Sequence, residues 1–436
     1  MKQLNLLEAP VEKAFCHYLV PAISATLVTS IYILADTMMI GRGVGAIGMA
    51  ALNILLPLFS LFFATGLLFG VGGGVLMSVS MGKGEEQQAK EYFTAAFIGV
   101  SCFAVFYLIA CNVFFDPLTA FLGRNESMDA YVRGYGKFLV SGAPIFAFSS
   151  FLQAFVRNDK APKLAMAAVI SGGVTNVVLD YLLIFVIPMG MAGGAIATVI
   201  GSVVTVVILC THFFSRHNTL RLVPIKSIRQ IGEVFVNGLS SFIMDISSGV
   251  IILLFNRQLL AYAGELGVVV YGVVSNSALV VTSICNGIGQ AAQPLLATNC
   301  GAGKQDRVLK TKHYGEKTVA VAVAVLCILG MAMPDVLTTL FVEPTEEILS
   351  MASTAVRIYF LSFLGLGFNL LYSAYFQSIM KPFYALVICI LRGFVLNGIL
   401  VFLLPVIWGV NGIWATMVVT EALTLVICKT LEKKIH

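Results

Sequence analysis

Runs of about twenty apolar residues, each long enough to cross a hydrocarbon core of about 30 Å, follow one another along nearly the whole chain. In hydrocarbon every backbone N–H and C=O must find its partner within the protein, so segments of this kind fold as helices bundled in a bilayer. Twelve such runs are predicted, at 14–40, 47–79, 93–115, 135–156, 163–187, 191–214, 232–256, 267–298, 316–334, 349–377, 383–404 and 408–429. Composition agrees: only 11% of the 436 residues are charged and mean hydropathy is +0.93, whereas a soluble domain carries about 25% charged residues. The first run follows "MKQLNLLEAPVEK", with Glu8, Glu12 and Lys13. It is too long for a signal-peptide core and lacks an A-x-A site, so it is expected to remain as a helix.

With both termini placed in the cytoplasm, 20 Lys and Arg fall on the inner side and 6 on the outer, and Arg392 lies within a span. That asymmetry predicts the orientation. The net charge of +5 is modest and sits in loops, which argues against nucleic acid as a partner. The polar stretch 215–231 divides the spans six and six, giving an expected first lobe at 1–214, a cytoplasmic linker at 215–231 and a second lobe at 232–436. At an offset near 219 residues, "MGKGEEQQAK" falls on "CGAGKQDRVLK", Pro162 on Pro382, Asn176 on Asn397, and "GGAIAT" on "NGIWAT". Two copies with an even number of spans enter the membrane from the same side. The expected fold is therefore an all-α membrane protein of two six-helix bundles related by a pseudo-two-fold along the membrane normal, with substrate between them.

Charged side chains at membrane depth are costly, about 2.5 to 3.5 kcal/mol on insertion scales, and normally face a partner or a wet cavity. Here the intramembrane carboxylates are Asp36, Asp180, Asp245 and Glu421, and Arg392 is the one deeply placed cation. Asp36, Asp180 and Thr198 share one level in the outer half of the first bundle. Asn176 sits one turn from Asp180, and Tyr32 one turn from Asp36. Carboxylate, amide and hydroxyl oxygens gathered in this way suit a hard cation such as Na⁺. Two adjacent carboxylates cannot both ionise cheaply, so a proton competes for the same place.

The repeat supplies a control. Asp36 aligns with Asn256, and Asp180 with about Val401, so the second half lacks both charges and the acids are not demanded by the architecture. The nearness of Asp36 to the loop "GRGVG" leaves an interfacial, hydrated role open for it. Arg392 and Glu421, at similar depth on neighbouring spans, are expected to form a structural ion pair. Asp245 has no obvious partner; a second cation site, a substrate contact and a cavity-lining role all remain open. Pro21 removes a backbone hydrogen bond and permits a bend. "GLLFGVGGG" reads as close helix packing, with a hinge as the alternative. Nine cysteines without a C-x-x-C pair read as small core residues, among them Cys102, Cys111, Cys210, Cys327 and Cys389.

Together, "LADTMMIG" ending the first span, N-x-x-x-D in the fifth, "GGAIAT" entering the sixth and "QPLLATNCGAGK" after the eighth resemble the multidrug and toxic compound extrusion (MATE) family. The likeness is strongest to its DinF-like and MepA-like prokaryotic branch and covers essentially the whole chain. It implies a V-shaped fold with a central cavity. It also implies export of organic cations or amphipathic drugs driven by Na⁺ or H⁺, through a multi-pass, monomeric protein of a bacterial cytoplasmic membrane. Asp36, Asn176, Asp180 and Thr198 match the branch's first-lobe cation site, and Pro21 its bending proline. The essential Glu of the NorM-like branch has only Asp245 as an offset counterpart. No cofactor beyond the coupling ion is expected. The alternatives are a lipid-linked precursor flippase of the same superfamily, a passive channel, and an intramembrane enzyme. The last is disfavoured because the chain has no H-E-x-x-H, no G-x-G-D and no Ser/His pair at membrane depth.

Overall fold

The computed structural model describes residues 5–343 and 345–435. Among them there are helices and turns and no strand. The first five spanning helices are α1 (Val11–Gly43), α2 (Ala46–Lys83), α3 (Glu86–Val113), α4 (Glu126–Ser141 with Ala143–Asn158, bent by 50°) and α5 (Pro162–Val186). α6 (Met191–Phe214) precedes the non-helical segment 215–228. α7 and α8 are the two arms, 229–263 and 265–301, of the run Arg229–Gly301, which breaks at Gly264 where φ is 65°. The remaining spans are α9 (Gln305–Ala332), α10 (Glu346–Phe360 with Phe363–Ser378, bent by 40°), α11 (Pro382–Trp408) and α12 (Val410–Lys433). The expected twelve helices are all present, most of them reaching several residues past the apolar runs because helices outlast the hydrocarbon.

The backbone itself shows the duplication. Gly45, Gly84 and Gly190 take positive φ (93°, 80° and 57°), and so do Gly264, Gly303 and Gly409 (65°, 68° and 57°). Each pair is 219 residues apart (264 − 45, 303 − 84 and 409 − 190). Only glycine enters this region without steric penalty, so the same turns recur in both halves. Lys160 and Met380, both at φ 62°, stand 220 apart and lead into helices that start at Pro162 and Pro382. A β-carbon in that region costs on the order of 1 kcal/mol, a strain kept in both halves.

Register shifts between the halves have a local cause. Pro162 and Pro382 are 220 apart, but Asn176 and Asn397 are 221 apart. Between Pro382 and Asn397 lies a π-helical turn, Leu391–Val395, and a π-turn accommodates one extra residue without ending the helix. The first half carries its π-turn later, at Leu182–Val186, immediately after Asp180 and Tyr181.

The halves join at the end of the bundle that carries residues 83–86, 215–228 and 301–305, called here the linker end; the turns at Gly45, Gly190, Gly264 and Gly409 form the hairpin end. Near the linker end, Asn237 Nδ2 donates to the Gly72 carbonyl at 3.1 Å, Arg157 Nη1 to Gln290 Oε1 at 2.8 Å, and Gln230 Nε2 to Glu91 Oε2 at 2.8 Å. Among the described residues, Ser30 with Ser283 is the side-chain hydrogen bond between halves that lies closest to the hairpin end. α1 belongs to both halves. Ala14, Phe15, Tyr18 and Ala22 are buried in the second half's core, whereas Ile40 is buried in the first half's. Reciprocally, Val234 of α7 lies in the first half's core. Pro21 is buried within the segment of α1 held by the second half.

Small residues make this interface possible. A β-carbon at Gly238 would overlap the Leu68 carbonyl oxygen of α2, while one at Gly232 meets nothing within 4 Å. Gly238→Ala is therefore expected to lower the thermal midpoint in detergent by the equivalent of about 2 kcal/mol, with Gly232→Ala unchanged; equal midpoints for the two variants would contradict this packing.

Candidate functional site

The site is assembled by three close helix approaches in the first half. A β-carbon at Gly172 of α5 would overlap Thr205 of α6, and one at Gly201 of α6 would lie 2.9 Å from Asn176 Cβ. On its other side, a β-carbon at Gly173 would lie 3.0 Å from Tyr32 Cδ1 of α1. These glycines draw α1, α5 and α6 together around a cavity of about 30 Å³, space for a water or two or a single small ion. Thr29, Tyr32, Asn176, Thr198, Ser202 and Thr205 contribute polar atoms to its wall, with Phe59, Phe63 and Phe146 opposite.

One helical turn beyond Tyr32 and Asn176 of the cavity wall, Asp36 and Asp180 meet side chain to side chain. Asp180 is fully buried and Asn176 only 3% exposed. Both carboxylate oxygens of Asp180, Asp36 Oδ1 and Asn176 Oδ1 are buried with no hydrogen-bond donor. No Lys or Arg forms an ion pair with either acid among the described residues. Thr198 Oγ1 donates to the Gly194 carbonyl at 2.9 Å and receives Asn176 Nδ2 at 3.5 Å, a long contact. Tyr135 Oη lies 3.4 Å from the same hydroxyl. Four acceptor oxygens thus converge without donors in a low-dielectric site, an arrangement that calls for a cation or a proton.

Asp36, Asn176, Asp180, Thr198 and Tyr32, all expected from spacing and depth, come together here. Asp36 itself is half-buried, with its Oδ1 enclosed and without a donor. Tyr135, 3% exposed, was not expected: it stands at the start of the fourth run, in "RGYGKF", where depth gives no signal. Asp245 and Asn256 are not part of this cluster. They lie half-buried on α7, eleven residues and so roughly 16 Å apart along one face, and neither has a hydrogen bond or ion pair among the described residues. Arg392 and Glu421 do meet, Nε to Oε1 at 2.5 Å, with Asn369 Nδ2 donating to Glu421 Oε2 at 2.7 Å.

Two expectations need correction. Arg392 is not alone as a buried cation: Arg157, read from sequence as part of an inner loop, is 4% exposed at the end of α4. Its Nε and Nη2 lack acceptors. The cysteines are not uniformly core residues either, since Cys16 and Cys102 are exposed. Cys102 lies on the outer, lipid-directed face of α3, whose apolar surroundings make exposure to hydrocarbon look like burial in a sequence.

A family model described as MatE matches the chain twice, over residues 21–182 and 237–403. The chain belongs to the MATE family. Among curated proteins, Multidrug export protein MepA of Staphylococcus aureus (strain MSSA476) is 26% identical over 428 residues, covering 95% of this chain and 92% of that protein. The MepA of Staphylococcus saprophyticus is 26% identical over 431 residues with the same coverage. Among solved structures, the outward-facing conformation of a multidrug resistance MATE family transporter of the MOP superfamily superposes with a TM-score of 0.92 at 20% identity, covering 99% of both chains. A MOP superfamily transporter from Pyrococcus furiosus gives 0.92 at 21% identity, covering 100% of this chain and 98% of that one. The MATE fold is thus established for this chain, and with it a membrane transporter rather than an enzyme.

The unpartnered acids generate a direct test. In Na⁺-free buffer at pH 8, Asp180→Asn removes the fully buried one of two adjoining acids and is expected to raise the thermal midpoint by about 1–2 °C, corresponding to ~1–2 kcal/mol for a chain of 436 residues. An unchanged or lower midpoint would mean that the carboxylates have partners after all.

Proposed function

We propose that the protein is a multidrug exporter that couples efflux to the inward movement of Na⁺ or H⁺ through Asp36 and Asp180. The observation that carries this reading is the meeting of fully buried Asp180 with half-buried Asp36, neither with a cationic partner, one helical turn from a cavity of about 30 Å³. The relatives named multidrug export proteins supply the cargo class. Organic cations and amphipathic drugs suit a transporter whose Asp36, Asp180 and Asp245 have no cationic partner among the described residues.

In this reading the linker end is cytoplasmic, as the Lys/Arg asymmetry of the loops favours. The two lobes are 1–214 and 232–436, joined by 215–231, and the chain works as a monomer in the bacterial cytoplasmic membrane. Asp36 stands on a helix whose other end is held in the second half's core, with Pro21 between. A cation entering from outside offsets one of the negative charges that Asp36 and Asp180 can carry and draws the outer part of α1 toward α5, while Thr198, Asn176 and Tyr135 supply neutral oxygens. Pro21 lets that movement occur without breaking the anchored segment. Drug and cation then stabilise different arrangements of α1, and the difference in their affinities for the two states is the coupling. No covalent step is involved.

Efflux in vesicles with Na⁺ and pH gradients imposed separately identifies the driving ion. Asp36→Asn and Asp180→Asn are each expected to reduce gradient-driven efflux at least about tenfold, a coupling loss of about 1.4 kcal/mol or more, at normal expression. Full-rate, gradient-dependent efflux by both variants would refute the assignment.

A further inference from the structure

The second half also buries a carboxylate at membrane depth, and treats it differently. Glu421 lies near the middle of α12 and is fully buried. Both its oxygens are bonded: Oε1 receives Arg392 Nε at 2.5 Å and Oε2 receives Asn369 Nδ2 at 2.7 Å, while the same amide reaches the Glu421 carbonyl at 2.9 Å. Arg392 comes from the π-turn Leu391–Val395 of α11, with side-chain exposure of 11%. The fit against α10 is close, for a β-carbon at Gly365 would lie 2.9 Å from Glu421 Cβ. The other titratable groups facing the pair are Tyr359, Cys285, Cys389 and Cys428, so that among the described residues carboxylate and guanidinium have only each other as countercharges.

We infer that Arg392 is a resident cation: it permanently fills, at Glu421, a cation site equivalent in chemistry to the one that exchanges ions at Asp36 and Asp180, and its removal uncovers a second site for a small monovalent cation. The inference rests on the reading of the first-half cluster as a cation site. Two halves from one duplication face the same physical problem of an anion in a medium that does not solvate it. The first half leaves four acceptor oxygens open beside a cavity; the second closes both oxygens with groups of its own chain. A tethered guanidinium cannot leave, so the second half keeps one electrostatic state throughout a cycle and the ion response is confined to the first. The π-turn is the device that delivers it. By widening the helix for one turn, it sets Gly393 against Ser247 of α7 and leaves Arg392 directed at α12.

The test uses the full-length protein carrying Asp36→Asn and Asp180→Asn, so that the first site cannot respond, with and without Arg392→Ala. Thermal midpoints are measured in choline chloride and after its replacement, at constant ionic strength and pH, by NaCl or by methylguanidinium chloride. With Arg392 present no cation is expected to shift the midpoint. With Arg392→Ala, both Na⁺ and methylguanidinium are expected to raise it progressively with concentration, by about 3 °C at about a hundred times the dissociation constant. A folded Arg392→Ala protein indifferent to both cations overturns the proposal. If Arg392→Ala does not fold, Arg392→Ala with Glu421→Gln decides the matter. Recovery of a folded protein attributes the loss to the bared carboxylate, as expected, and continued failure makes Arg392 a packing element and overturns the inference. Efflux by the Asp36→Asn and Asp180→Asn variants judges the first-half reading separately, so that either idea can fail alone.

Discussion

Lipid offers no hydrogen bonds to a backbone, and every feature of this molecule is a response to that constraint. Continuous helices satisfy it by default, so departures from helical geometry are informative. They fall at few places here: the break at Gly264, the bends within α4 and α10, and the two π-turns at 182–186 and 391–395. Gly264 stands at a bundle end. The π-turns are different, for one begins two residues after Asp180 and the other contains Arg392. Both sit beside the charges that the membrane tolerates least, where a wider turn re-aims a side chain without exposing the ladder to lipid.

The same duplication has produced two answers to a buried carboxylate. In the second half an acid is joined to a base and an amide on adjacent helices, an arrangement that holds its shape because breaking it would strand a charge. In the first half two acids meet with oxygens around them and no base. In the proposed reading such a cluster gives up stability whenever it is empty, and that sensitivity to occupancy is what would distinguish a binding site from a brace. The second half's position equivalent to Asp180 illustrates the contrast. Near it the Val401 carbonyl receives the amide of Gln258 at 3.0 Å, a neutral contact that needs no ion.

Sequence reveals these features unevenly. The spans, their number and the duplication were legible because apolar length and paired Gly and Pro positions are one-dimensional signals. Asp36 and Asp180 were legible because a charge in an apolar run stands out at any register. Tyr135 was not: it lies close to a span boundary among Arg133, Gly134 and Lys137, where a tyrosine is ordinary. Arg157 was misplaced because its neighbours Asp159, Lys160 and Lys163 make the run look like a loop, whereas α4 continues to Asn158. The π-turns left only a trace, the shift of one residue between Pro162–Pro382 and Asn176–Asn397. Such a shift in a repeat reads equally as a loop insertion until the helix across it is seen to be continuous.

α1 shows why the site and the interface between halves cannot be separated. Its linker-end turns lie in the second half's core, and Leu6 just before them is buried there as well, held through its carbonyl by Arg307 Nη2 at 2.9 Å and Asn299 Nδ2 at 3.3 Å. Its hairpin-end turns carry Tyr32 and Asp36 into the first half's cluster. A rigid helix so anchored would transmit any displacement at Asp36 directly to the second half; a helix with Pro21 in its anchored part has lost one hydrogen bond there and transmits it as bending. The segment before α7 repeats the device in reverse: Leu220 is buried in the first half's core, and Thr219 is tied through its N–H and hydroxyl to Asp159 at 2.9 and 2.5 Å. Each half thus holds the entry to the other at the linker end, but the entry of the first half leads to two acids that meet, whereas that of the second carries Asp245 by itself. In the proposed cycle movement driven by an ion therefore begins on α1, while α7, whose Asp245 has no partner among the described residues, responds to whatever occupies the space between the halves.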